Sequence, residues 1–88
     1  MKILNKQNIS IIGGAGHVGF PLGLAFAEKN FKVDLVDIDL KNIELINSGK
    51  PPFMEIGAEK LLKKNLKKNK IFTKQNLDDL INSKYIII

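Results

Sequence analysis

Three glycines in Gly14-Ala15-Gly16-His17-Val18-Gly19 follow a short β-branched run and precede a segment with helical spacing. At such a junction the first amides of the helix have no carbonyl partner of their own and carry the positive end of the helix dipole. A diphosphate is the ligand that suits them. Gly14 is expected to permit the tight turn, and Gly16, lacking a β-carbon, lets the backbone approach the phosphates. Gly19 lets the helix lie close on the sheet, and Gly23, one turn later, extends that contact. Asp37 ends the next apolar run, where a carboxylate accepts hydrogen bonds from both hydroxyls of an adenosine ribose. Its charge would repel a 2′-phosphate, which favours NAD over NADP. The Gly-Lys-Ser/Thr of a mononucleotide phosphate loop is missing.

His17 is the one histidine of the chain. No carboxylate stands near it in sequence to orient it, so a steric or backbone role beside the cofactor is expected rather than proton transfer. Asp34, Asp39, Asp78 and Asp79 read as surface or capping acids, and no metal-ligand spacing is present. Cysteine is absent. That excludes a disulfide, a thiolate metal site and a thiol nucleophile from this stretch, and no catalytic residue is assigned.

The elements that must position these residues alternate. Residues 8 to 12, NISII, read as a buried parallel strand. From Val18 to about Asn30 the apolar residues Val18, Leu22, Ala25 and Phe26 recur at helical spacing, with Pro21 near the start. Residues 32 to 37 form a second strand ending in Asp37, and Asp39 can cap a helix from Leu40 to Ser48 that stops at Gly49. After Lys50-Pro51-Pro52-Phe53, a lysine-rich amphipathic helix runs from Gly57 to Asn69 with Ala58, Leu61, Leu62 and Leu66 on one stripe. Ile71 to Thr73 is a short strand, Leu77 to Asn82 a brief helix, and Lys84 to Ile88 a fourth strand. The fold class is therefore α/β: a Rossmann-type parallel sheet of about four strands with flanking helices, the incomplete half of a dinucleotide-binding domain.

Eighty-eight residues make one small domain, with 44% apolar and 26% charged residues, ordinary for a soluble globular chain. The first apolar run is too short for a signal sequence or a membrane span, so a cytoplasmic location and no membrane partner are expected. The formal charge of +5 comes mainly from lysines between Lys60 and Lys74. With only Phe72 as a nearby aromatic and no reading element, they are expected to form a solvated face that binds no nucleic acid.

The residues Ile11 to Gly23, with Val-Gly-Phe-Pro-Leu-Gly closing the loop, resemble the opening of the UDP-glucose/GDP-mannose dehydrogenase family. The similarity continues through Val33 to Asp39, Ile46-Asn47-Ser48-Gly49, and Pro52-Phe53-Met54-Glu55-Ile56-Gly57, which resembles the family's Pro-Ile-x-Glu-Pro-Gly element. The resemblance covers nearly the whole chain and implies that residues 1–88 are the amino-terminal part of an NAD-binding Rossmann domain. It implies Gly14 to Gly19 on the pyrophosphate, His17 and Val18 included, and Asp37 on the adenine ribose. Gly13 is an extra glycine relative to the commoner opening. Asn42 stands near the adenosine where many members carry a basic residue, a place that neighbouring Lys41 is also suited to fill.

Such enzymes oxidise the C6 hydroxyl of a UDP- or GDP-sugar to a carboxylate in two NAD-dependent steps through a thiol-bound intermediate, and serve polysaccharide biosynthesis. The nucleophilic cysteine and the sugar pocket would belong to regions beyond this sequence, as would any homo-oligomer interface. The competing reading is a stand-alone nucleotide-sensing or regulatory module built on the same glycine loop.

Overall fold

The computed structural model describes residues 8–76 and 85–87. Four strands, β1 (Asn8–Ile12), β2 (Lys32–Val36), β3 (Ile71–Lys74) and β4 (Tyr85–Ile87), form one sheet in the order β3-β2-β1-β4. All three pairings are parallel, with Ile11 opposite Leu35, Leu35 opposite Thr73, and Ile11 opposite Ile87. Parallel neighbours require crossovers, supplied between β1 and β2 by α1 (Gly19–Glu28) and between β2 and β3 by α2 (Leu40–Asn47) and α3 (Ala58–Lys67). The helix expected from Leu77 to Asn82 lies outside the described residues. Among the described residues no helix is long and apolar enough to cross a membrane.

Strand alternation sorts the sheet into two faces. Ile9, Ile11, Val33, Leu35 and Ile71 are buried in one cluster with Phe20, Leu24 and Ala27 of α1, Ile43 and Ile46 of α2, and Ala58 and Leu62 of α3. Leu61 and Leu66, expected on the α3 stripe, pack against this cluster while partly exposed. The alternate residues Ser10 and Asp34 lie side by side in register on the other face. Ser10 is fully buried, and its hydroxyl donates a long 3.4 Å bond to Asp34 Oδ2, whose other oxygen is 4.0 Å from Lys74 Nζ. Asp34 is thus not the surface or capping acid that its type suggested. Its side chain is only 18% exposed, because its strand position fixes the face on which it stands.

The three helices end alike. Asn30, Gly49 and Asn69 each adopt a positive φ, and in each case the next amide reaches back across the last turn: Phe31 to Phe26 O, Lys50 to Leu45 O, and Lys70 to Asn65 O. This Schellman closure satisfies carbonyls that the helix leaves open, and Asn is the residue after Gly that accepts its left-handed member most readily.

One polar group is buried between helices. Asn65 of α3 is 1% exposed, and its Nδ2 donates to Glu28 Oε2 at the end of α1 (2.8 Å) and to Leu61 O (2.9 Å). Lys64 donates to the other Glu28 oxygen at 3.1 Å, and Lys63 pairs with Glu59. With Lys74 beside Asp34, three of the lysines in the basic segment therefore face carboxylates.

The Asn65 hydrogen bond, then that from Lys64, holds the Glu28 carboxyl below the ordinary carboxylate range. A carboxylate with a lowered folded-state pKa contributes stability that is present above its unfolded value and is lost as pH falls through the folded one. Urea midpoints measured from about pH 6 down to about pH 3 should therefore drop more steeply in the wild type than in Glu28→Gln.

Candidate functional site

The glycine loop leaves β1 at the point where strand order reverses, since β1 pairs with β2 on one side and β4 on the other. Open parallel sheets bind ligands at this place. Gly13 makes the turn, with φ +77, and the amides of Gly13 and Gly14 both donate to Val36 O at 2.8 and 3.0 Å. The turn role expected of Gly14 thus belongs to Gly13, the additional glycine. Gly14 is required for another reason: a β-carbon there would stand 2.7 Å from Leu35 Cα and 3.0 Å from Ile11 O. The loop leans directly on β2, and only a hydrogen fits between.

Gly19 is constrained in the same way, because its β-carbon would lie 2.3 Å from the Gly13 carbonyl oxygen. Its close contact is with the loop, whereas Gly23 is the residue that meets the sheet, 2.6 Å from a Leu35 methyl. Gly16 differs from these three. Its β-carbon would have one close neighbour, Gly13 O at 3.2 Å, so the space outside it is open to a ligand.

The amides of this loop divide into two sets. Ala15 N–H donates to Asp37 Oδ2 at 2.9 Å and Gly16 N–H to Gly13 O at 3.0 Å. Among the described residues, the amides of His17, Val18 and Gly19 have no hydrogen-bond acceptor. They open α1, whose N-cap residue Val18 makes no side-chain cap and whose first turn contains no acid. Helix starts are ordinarily closed by Ser, Thr, Asp or Asn. Here three consecutive donors and the dipole end remain for an anion.

Asp37 stands just past β2 and is half-buried. Its Oδ1 accepts from Asp39 N–H at 2.9 Å while its Oδ2 holds Ala15. A carboxylate has about four acceptor positions, so both oxygens keep capacity for ribose hydroxyls. Asp39 caps α2 by accepting from Asn42 N–H at 3.1 Å, as its position suggested. The Asn42 side chain turns to the loop and donates to Ala15 O at 3.2 Å. Ala15 is thus gripped on both sides, by Asp37 on its amide and by Asn42 on its carbonyl. Asn42 contacts the loop that Asp37 orients, a role that sequence spacing did not reveal.

His17 and Val18 are exposed. The His17 ring stacks on Phe53, with centroids 3.8 Å apart and planes at 24°. This contact joins the glycine loop to the linker between α2 and α3, and nothing in local spacing announced it. Among the described residues there is no group of three or more His, Cys, Asp or Glu that could hold a metal ion.

The reversal of strand order, the open amides at the start of α1 and the carboxylate ending β2 define a dinucleotide-binding domain of Rossmann type. Residues 7–88 match the model of the UDP-glucose/GDP-mannose dehydrogenase family, NAD binding domain. The chain belongs to that family, and its cofactor is NAD. It is 44% identical over 67 residues to an uncharacterized protein of Methanocaldococcus jannaschii, a match covering 76% of this chain and 7% of that protein. It is 38% identical over 65 residues to the GDP-mannose 6-dehydrogenase of Pseudomonas syringae pv. syringae, covering 74% of this chain and 15% of the relative. The solved UDP-D-ManNAc dehydrogenase of Pyrococcus horikoshii superposes with a TM-score of 0.84 at 30% identity, over 93% of this chain and 20% of that one. The chain thus spans a fifth or less of the length of these relatives.

The two kinds of glycine should separate experimentally. Gly19→Ala forces backbone atoms apart and should lower unfolding stability by about 1–3 kcal/mol. Gly16→Ala should stay within about 1 kcal/mol of the wild type, and urea denaturation of both variants checks the contrast.

Proposed function

We propose that residues 1–88 form the amino-terminal part of the cofactor domain of a nucleotide-sugar 6-dehydrogenase, which oxidises the C6 hydroxyl of a UDP- or GDP-sugar to a carboxylate in two NAD-dependent steps. The observation that carries the cofactor half of this reading is the set of open amides at His17, Val18 and Gly19 beside the carboxylate of Asp37. The sugar half is supported by family membership and by relatives that include a GDP-mannose 6-dehydrogenase.

In this reading the three amides hold the diphosphate, Gly16 admits it, and Asp37 accepts from the adenosine ribose. Asn42 holds the loop through Ala15 O, and His17 lends its amide while its ring packs on Phe53. When bound, NAD supplies a hydride acceptor. The chain's own residues fix one end of that cofactor and exclude a 2′-phosphate by the charge of Asp37. With no cysteine in the sequence, a thiol that carries the sugar between the two oxidations belongs to another part of the enzyme, as does the sugar pocket. The soluble setting of this chemistry is the cytoplasm.

Asp37→Ala removes the ribose acceptor and the anchor of Ala15. It should weaken NAD binding about tenfold or more, since hydrogen bonds to a charged group contribute about 1.5–3 kcal/mol each. It should also narrow the preference for NAD over NADP. Isothermal calorimetry with both cofactors is the check, and unchanged NAD affinity would remove Asp37 from the site.

A further inference from the structure

The two halves of the glycine loop are anchored by different means. Residues 13 to 16 are fixed by six hydrogen bonds to or within the loop: Gly13 and Gly14 to Val36 O, Gly16 to Gly13 O, Ala15 to Asp37, Asn42 to Ala15 O, and Phe20 to Gly16 O. The outer half contains the three open amides, is bounded by Gly16 and Gly19, and exposes both of its side chains. Among the described residues, the Phe53 stack is the one hydrogen-bond, ion-pair or ring contact of the His17 or Val18 side chains.

A short segment between glycines loses much backbone entropy when it is fixed. Whatever holds it before the ligand arrives reduces the ordering cost of binding. Phe53 is well placed to do so, because its linker is itself restrained. Gly49 and Lys50 close α2, Pro51 and Pro52 have fixed φ, and the Ala58 amide donates to Glu55 O at 3.1 Å as α3 begins. The ring is half-buried and meets the imidazole nearly face to face.

We propose that Phe53 is a positioning residue of the diphosphate site: by stacking on His17 it holds the outer half of the glycine loop in the conformation that groups the amides of His17, Val18 and Gly19. This rests on the reading of those amides as diphosphate donors. Phe53 acts through His17 and not on the ligand. Its loss therefore weakens ligands that carry a diphosphate and spares those that reach only the Asp37 side of the site.

The test uses the 88-residue chain with NAD, ADP and adenosine as probes, comparing wild type, Phe53→Leu and Phe53→Tyr. Phe53→Leu is expected to weaken NAD and ADP about three- to tenfold, the range of an aromatic pair, with adenosine binding unchanged. Phe53→Tyr, which keeps the ring, restores wild-type affinity. Equal weakening of adenosine and ADP would mark a general structural defect and overturn the proposal, as would unchanged NAD affinity. Backbone 15N relaxation without ligand provides an independent readout: Phe53→Leu should lower order parameters at residues 17 to 19 and leave 13 to 15 as they were. Unchanged order at 17 to 19 overturns the role of the stack alone. Failure of the wild type to bind NAD or ADP overturns the cofactor reading beneath it.

Discussion

The carboxylate of Asp37 joins the parts of this molecule that must stay in register for a ligand to bind. One oxygen takes the amide of Ala15 and the other the amide of Asp39, so a single side chain at the end of β2 fixes both the loop after β1 and the turn into α2. Hydrogen bonds to an ionised acceptor are shorter and stronger than neutral ones. The arrangement works only because Gly14 lets the loop touch Leu35 of β2 without an intervening side chain. Close approach and carboxylate grip are one constraint seen from two sides.

That constraint leaves α1 with an unusual start. α2 is capped by Asp39, and α3 has Glu59 in its first turn, whereas α1 has neither a side-chain cap nor an acid there. An uncapped start typically costs about 1 kcal/mol. The cost falls on the helix best able to bear it, since α1 buries Phe20, Leu24 and Ala27 against β1 and β2. Local stability is given up at a place where an anion can restore it.

Much of this was legible along the chain because it depends on short-range pattern. The run at Asn8–Ile12 and the alternation in Lys32–Val36 produced strands where β-branched residues stand, and of Ile43, Leu45 and Ile46, which share a helical period, Ile43 and Ile46 enter the core while Leu45 is half-buried. Asp39 caps α2 because capping needs only a side chain and an amide three residues on. Other assignments required contacts between distant segments. Gly13, to which spacing gave no role, takes the turn expected of Gly14, and Gly14 instead packs on β2, because which glycine turns and which one packs depends on how near β2 lies. Asp34 becomes half-buried because Ser10 stands beside it in the neighbouring strand. No signal within a few residues of Phe53 indicates that its ring meets His17.

The sequence by itself determined the alternation of strand and helix, the glycine-rich junction and the acid that follows it, and through these the class of ligand. Such features follow from backbone sterics and side-chain periodicity, which act over a few residues. Tertiary structure alone decided which amides remain free, that Asn42 and Asp37 hold Ala15 from opposite sides, and that an aromatic ring from another crossover stacks on His17. Those outcomes depend on distances between segments brought together by burial of a shared core, and no local rule encodes such a distance.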